Sequence, residues 1–308
     1  CMDKSVSPID RERLLAHVLR KPREWVLAHP DAHLRPAHRR RFASLLRRRA
    51  AGEPLAYLLG EQWFYGRPFA VNHSVLIPRP ETELMIELAL IRIRELTAYS
   101  LQLTALDIGT GSGCIAVTLA AEFPRAAVIA TDSSSDALRV ARANARRHAV
   151  ASRITFLRGD LLKPLLNKRR SGLLRPDRSV GARNDTTLLV LANLPYLTTS
   201  EWRALPRSIR AHEPRAALDG GPDGLAAFRQ LLTQLRNAFQ ISDFRFQMLL
   251  EIDPRRKRAL VALIRKHLPN WEASWHRDLA GRYRVLSIQY RVYQIQNTKY
   301  RIPVTVRP

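Results

Sequence analysis

Cysteine is almost absent from this sequence: Cys1 and Cys114 are the two in 308 residues. Neither a disulfide framework nor a cysteine-based zinc site can be built from them. Long apolar runs are also missing, and no stretch approaches the roughly 20 apolar residues that a membrane-spanning helix needs. The first residues lack a basic region followed by an apolar segment, so no secretory signal is expected, and the cytoplasm is the expected compartment. Negative charge is short as well: 27 Asp and Glu stand against 51 Lys and Arg, a balance of +24. The imbalance is uneven. Residues 81–160 hold nine Arg and nine Asp or Glu, whereas residues 1–50 hold 13 basic and five acidic residues. A basic surplus on the flanks favours contact with a polyanion such as RNA or a ribosomal particle. A generally Arg-rich composition with solvated basic faces explains it about equally well.

What is present suffices for a sizeable core, with 46% hydrophobic residues in a length that suits one large or two smaller domains. Ser7-Pro8 with Asp10 reads as a helix start. Helices are expected from there to about 20, over 22–29, and from 36 to just before Gly52, so residues 1–60 read as a small all-α domain. His29, His33 and His38 fit no metal spacing on one helix face, and no metal site is expected. Residues 61–80 are aromatic and punctuated by Pro and Gly, which suggests a β-hairpin or linker. From a helix over 82–96 onward, strands at 103–108, 127–131, 154–157, 188–192 and 246–252 alternate with helices at 114–122, 136–148, 224–239 and 254–267. Two further strands lie near 272–275 and 283–290. This alternation predicts a doubly wound, mostly parallel α/β sheet over 81–290. Residues 163–185, with seven basic and two acidic residues, read as a loop, and 291–308 as a basic tail.

Chemistry concentrates at two strand ends. The first is Asp107-Ile108-Gly109-Thr110-Gly111-Ser112-Gly113, a glycine-rich turn between a strand and a helix that lets a ligand approach the backbone. Asp132, about 20 residues on at the end of the next strand, sits where a carboxylate binds ribose hydroxyls; capping the next helix is its plainer role. Asp107 could hold a positively charged cofactor directly or through water, or simply order the loop. The second is Asn193-Leu194-Pro195-Tyr196, which ends the apolar run 188–192. Asn193 offers a side-chain acceptor. Pro195 biases Leu194 towards extended geometry, which turns the Leu194 carbonyl out as another acceptor. Tyr196 offers a face on which a planar group can stack. Together the two motifs point to S-adenosylmethionine and methyl transfer to nitrogen. Cys114 has no partner base and reads as a packing residue.

On these residues the chain resembles the protein-(glutamine-N5) methyltransferases that modify peptide chain release factors (the PrmC/HemK family). The resemblance runs from about 9 to 290 and includes Arg23-Glu24-Trp25, Gly52-Glu53-Pro54-Leu55-Ala56-Tyr57 and Phe64-Tyr65-Gly66. It continues through Leu76-Ile77-Pro78-Arg79-Pro80-Glu81-Thr82-Glu83, the two motifs above, Glu213-Pro214 and residues 220–225. It implies a seven-stranded S-adenosylmethionine-dependent methyltransferase sheet with a helical substrate-docking domain at 1–60. Gly109, Thr110, Gly111, Ser112 and Gly113 would contact the methionine moiety, Asp132 the ribose, and Leu161 the adenine. Asn193, Leu194, Pro195 and Tyr196 would bind the glutamine of a Gly-Gly-Gln loop, with Asn193 also bordering the cofactor and Asn193 and Tyr196 serving catalysis. Leu194 replaces the usual first proline, and 163–185 is longer than usual. Asn-Leu-Pro-Tyr is also the form found in ribosomal RNA adenine methyltransferases, which makes adenine N6-methylation the rival; a non-catalytic RNA-binding factor is a third reading. The rival enzymes do not resemble residues 9–83, which favours the glutamine enzyme.

Overall fold

The computed structural model describes residues 6–97, 102–167, 186–238, 245–269 and 271–290. The Ser7 hydroxyl accepts from Asp10 N at 3.1 Å and opens α1 (Pro8–Leu19), where Pro8 occupies a first-turn position that needs no N–H. α2 (Arg23–Ala28) and α3 (Pro36–Ala50) follow. A short α4 (Leu55–Leu59) was not legible in the sequence, because five residues are too few to show a helical period. Leu14, Val18, Leu45 and Leu58 bury together and hold α1, α3 and α4. Part of the local positive charge is neutralised internally. Arg48 binds Glu53 through two N–H bonds of 2.6 and 2.7 Å, and Arg49 reaches Asp10 at 2.8 Å.

The segment after α4 forms a hairpin of β1 (Glu61–Phe64) and β2 (Arg67–Ala70). Tyr65 and Gly66 connect them with φ of 49° and 68°, the pair of positive φ values that matches the twist of a two-residue hairpin. Phe64 and Phe69 turn from this hairpin into the core of the main sheet.

The rest of the chain runs through α5 (Glu83–Thr97), β3 (Gln102–Ile108), α6 (Cys114–Glu122), β4 (Ala127–Asp132), α7 (Ser135–Arg147), β5 (Ile154–Arg158) and α8 (Lys163–Asn167). It continues with β6 (Thr186–Ala192), α9 (Thr199–Ala204), α10 (Arg207–Arg210), α11 (Ala226–Ala238), β7 (Arg245–Glu251), α12 (Lys257–His267), β8 (Trp271–Arg277) and β9 (Tyr283–Tyr290). Seven strands form one sheet in the order β5-β4-β3-β6-β7-β9-β8. The pairings are parallel except those of β9, which runs against both of its neighbours. Both faces are covered. Leu106 and Ile108 of β3 pack with Leu188 and Val190 of β6 on the side of α11 and α12, whereas Leu103, Ala105, Leu189 and Leu191 pack on the side of α5 and α6. A strand buried on both faces carries apolar residues at consecutive positions, which is why 188–192 shows no alternation.

One expectation is corrected here. The stretch 163–185 begins as a helix, α8, with Leu165 buried in the sheet core; residues 168–185 and the basic tail 291–308 lie outside the described residues. Among the described residues no helix is long and apolar enough to cross a membrane.

The strand order fixes where a ligand can sit. From β3 the chain moves outward to β4 and β5, then returns to place β6 on the other side of β3. Ligands of open α/β sheets bind beyond the carboxyl ends of the strands at such a reversal. Ile108 and Ala192 are register partners, so the glycine turn and Asn193 leave the sheet side by side.

Candidate active site

The turn after β3 passes through Gly109, Gly111 and Gly113 at φ of 74°, 54° and 81°. These left-handed conformations are strained for residues with a Cβ. Asp107 lies beneath the turn, fully buried. Its Oδ2 accepts from Thr110 Oγ1 at 2.6 Å and from Ala116 N at 3.0 Å, which ties the turn to the first residues of α6. Asp107 does not line the cavity above, so the reading of it as a direct holder of a cationic cofactor is corrected: it orders the loop. Desolvation raises its carboxyl to about 7.

Gly113 has a packing role as well. A Cβ there would lie 3.0 Å from Ala141 Cβ and 3.1 Å from Ala141 Cα, closing the gap between α6 and α7. We expect Gly113→Ala to lower the unfolding free energy by about 1–3 kcal/mol through overpacking and strain. Denaturant melts would measure it, and an unchanged midpoint would show that α7 can shift at no cost. Asn144 of α7 supports the same turn: its Nδ2 donates to Ser112 O at 2.8 Å and Ala70 O at 3.0 Å, while its Oδ1 accepts from Ala70 N at 2.8 Å.

Above the turn lies a cavity bordered by Gly109, Thr110, Gly111, Ser112, Asp132, Leu161 and Asn193. Asp132 faces it from the end of β4. Its Oδ2 accepts from Gly111 N at 2.9 Å and its Oδ1 from Ser134 N at 2.8 Å. Capping of α7 falls to Ser134, whose hydroxyl accepts from Ala137 N at 3.1 Å. Burial raises the Asp132 carboxyl above its ordinary value, against the backbone N–H bonds that lower it. Leu161 holds a positive φ of 51°, and the next residue is anchored by a 2.8 Å bond from Leu162 N to Gln234 Oε1. A Cβ built on Gly111 meets nothing nearer than Gly109 O at 4.0 Å, so the turn leaves open space at the cavity wall. A glycine cradle, a carboxylate acceptor and an apolar wall fit an amino-acid moiety, a ribose diol and a purine. The residues present therefore suit S-adenosylmethionine.

The other wall is built on Asn193. Its Nδ2 donates to Thr82 Oγ1 at 3.1 Å and to Glu251 Oε2 at 3.0 Å. Thr82 Oγ1 in turn donates to Glu251 Oε2 at 2.6 Å. Those two oxygens lie only 2.6 Å apart on one side of Nδ2, so they share one amide hydrogen in a bifurcated bond, and Oδ1 remains as the acceptor that Asn193 can offer. Tyr196 donates its hydroxyl to Glu251 Oε1 at 3.3 Å; burial, with the nearby Glu251 charge, pushes its phenol well up. Asn193 also borders a second, smaller cavity with Tyr196, Arg79, Leu205, Ile209 and Glu251. It therefore stands in a wall common to both cavities. The Leu194 side chain is buried in the sheet core, so its backbone is what it can offer the cavity. Pro195 and Tyr196 are held by close backbone approach: a Cβ on Gly220 would sit 2.5 Å from Pro195 O, and one on Gly224 would sit 2.4 Å from Tyr196 O. Glu213 is buried, paired with Arg79 at 2.6 Å and accepting from Ile77 N at 3.3 Å, which makes it a loop anchor.

Sequence reasoning missed Glu251, Thr82 and Asn144. Glu251 carried a signal, as an acidic residue inside the apolar strand 246–252, and Thr82 sits in the distinctive 76–83 run. Asn144 gave none.

Comparison with known proteins bears on the family. Residues 5–60 match the PrmC N-terminal domain family and residues 105–171 a methyltransferase domain family. The chain is 39% identical over 279 residues to a release factor glutamine methyltransferase of Nitratidesulfovibrio vulgaris, covering 90% of this chain and 86% of that protein. It is 43% identical over 231 residues to one of Moorella thermoacetica, covering 73% of each, and 34% identical over 290 residues to one of Rhodopirellula baltica, covering 92% and 90%. Identity of this extent, spanning the helical N-terminus as well as the methyltransferase sheet, means that the chain belongs to the release factor glutamine methyltransferase family.

Proposed function

We infer that this chain is an S-adenosylmethionine-dependent enzyme that methylates the side-chain nitrogen of a glutamine, N5, in the Gly-Gly-Gln loop of a peptide chain release factor. The observation that carries the reading is the fixed amide of Asn193 in the wall between the two cavities, with its Nδ2 held on Thr82 and Glu251. Gly109 to Ser112, Asp132 and Leu161 would hold the cofactor in the larger cavity, whereas Gly113, expected to share in this, is not among the residues that border it and packs against Ala141 instead. Bound there, S-adenosylmethionine supplies an electrophilic methyl group on a positively charged sulfur.

The chain's own contribution is alignment. A glutamine amide nitrogen is a weak nucleophile because its lone pair is delocalised into the carbonyl. Asn193 Oδ1 and the Leu194 carbonyl accept its two N–H bonds, and the Tyr196 ring lies alongside the amide plane. The nitrogen then presents one face towards the methyl donor, and such positioning can lower a barrier by up to about 7–11 kcal/mol. The same acceptors favour the positive charge that develops on nitrogen as its bond to carbon forms. Glu213 is held by Arg79 and Glu251 by three donors, so the proton leaves to water.

The first four helices would dock the release factor, and the reaction would take place in the cytoplasm. Arg39, Arg40 and Arg47 of α3 are exposed and support a weak contact with RNA or the ribosome as a lesser part of this reading. Incubation with methyl-labelled cofactor, a release factor and ribosomal RNA tests the proposal. We expect label on the Gly-Gly-Gln glutamine alone, located by mass spectrometry of the digested protein. Label recovered as methylated adenine, with the release factor untouched, would overturn it.

A further inference from the structure

We propose that Glu251 is a positioning residue that sets which end of the Asn193 amide faces the substrate, an inference that rests on the role given to Asn193 above. The oxygen and nitrogen ends of an amide are nearly equal in size, so packing alone does not choose between them. Hydrogen-bond direction does. Thr82 has a single hydroxyl hydrogen and gives it to Glu251 Oε2 at 2.6 Å, so towards Asn193 its oxygen can only accept. Glu251 Oε2 is an acceptor as well, 3.0 Å from Asn193 Nδ2. A flipped Asn193 would set Oδ1 against two acceptors in a buried place and offer the substrate an NH2. A donor there cannot accept from the substrate –NH2, and the alignment of the nucleophile is lost.

The same carboxylate reaches further. Its second oxygen accepts from the Tyr196 hydroxyl, so one side chain fixes both polar members of the loop. Glu251 can do this because β7 lies next to β6, with Leu250 opposite Ala192 in register. It therefore emerges beside the first residue of the loop, and it is 1% exposed. Gly220 and Gly224 bring a second segment against the loop from the backbone side.

Glu251→Gln and Glu251→Met separate an acceptor from mere bulk. In Glu251→Gln the amide oxygen can accept from both Thr82 and Asn193, while its NH2 meets the Tyr196 oxygen. We expect kcat within about 3-fold of the wild type in Glu251→Gln and at least about 30-fold lower in Glu251→Met. The cofactor Kd should stay within about 3-fold in both, because the interaction lost acts on the transition state and not on cofactor binding. Nuclear magnetic resonance gives a readout apart from activity. The Asn193 side-chain NH2 signal, assigned by its loss in Asn193→Asp, should be protected from exchange in the wild type and in Glu251→Gln, and exposed in Glu251→Met.

Equal activity in the two variants, equal loss in both, or loss of cofactor binding in a variant that keeps its melting transition would overturn the proposal. If Glu251→Met does not fold, Thr82→Val against Thr82→Ser decides instead: Thr82→Val should lower kcat and Thr82→Ser should not, and identical behaviour would sink the idea. A wild-type enzyme that leaves the release factor unlabelled would refute the substrate reading, and the exchange of the Asn193 amide would still decide the role of Glu251.

Discussion

Asn193→Ala is expected to reduce glutamine methylation by about 10²- to 10³-fold, the loss that follows removal of one preorganised hydrogen-bonding group at a reacting centre. The change removes the Oδ1 acceptor and leaves Thr82 Oγ1 and Glu251 Oε2 without the NH2 that now reaches them at 3.1 and 3.0 Å. The protein should still fold, because Glu251 keeps the Thr82 and Tyr196 hydroxyls as donors. Cofactor affinity should change little, since the glycine turn and Asp132 are untouched. Asn193→Asp should be equally impaired for a different reason: it sets a second carboxylate against Glu251, and two adjacent carboxylates do not both ionise readily. Single-turnover transfer of labelled methyl groups, together with calorimetric titration of the cofactor, measures both quantities. Activity within about 3-fold of the wild type in a cofactor-binding Asn193→Ala protein would take Asn193 out of the transition state.

Asp132→Ala should weaken S-adenosylmethionine binding by about 10- to 100-fold, the 1.5–3 kcal/mol carried by hydrogen bonds to a charged group. Two effects combine. The ribose loses its carboxylate acceptor, and the turn loses the 2.9 Å bond that holds Gly111 N in place. Asp132→Asn separates them, because its one remaining oxygen can still accept from either backbone N–H, and an intermediate loss is expected. Ser134 caps α7 with its own hydroxyl, so neither change should unravel that helix. The sign of the pH effect follows from burial. The Asp132 carboxyl lies above its ordinary value, so protonation begins at a higher pH than for an exposed aspartate, and cofactor affinity should fall as the pH drops through that range. Affinity unchanged in a folded Asp132→Ala protein would remove Asp132 from the cofactor site.

The sequence by itself determined the elements and the two strand ends that carry the chemistry. The strands expected at 103–108, 127–131 and 188–192 are β3, β4 and β6 to within two residues, because a strand covered on both faces shows its burial as an unbroken apolar run. The glycine turn was equally plain, since a left-handed backbone selects glycine locally, and Ser7 with Pro8 announced α1 through bonds made within one helical turn. Short α4 escaped because five residues carry no period. What only the tertiary structure decided is which groups meet. Asn193 is oriented by Thr82 and Glu251, 111 and 58 residues away in the chain, and no local pattern encodes a hydrogen bond of that span. Asp107 and Asp132 look alike in sequence, each an acid at the end of a strand. Burial separates them: Asp107 is sealed beneath the turn with Thr110 and Ala116 as its donors, while Asp132 borders the cavity. The physical reason is general to this protein. Periodicity and backbone conformation are set by near neighbours and can be read along the chain, whereas desolvation and hydrogen-bond direction are set by whatever the sheet register places alongside.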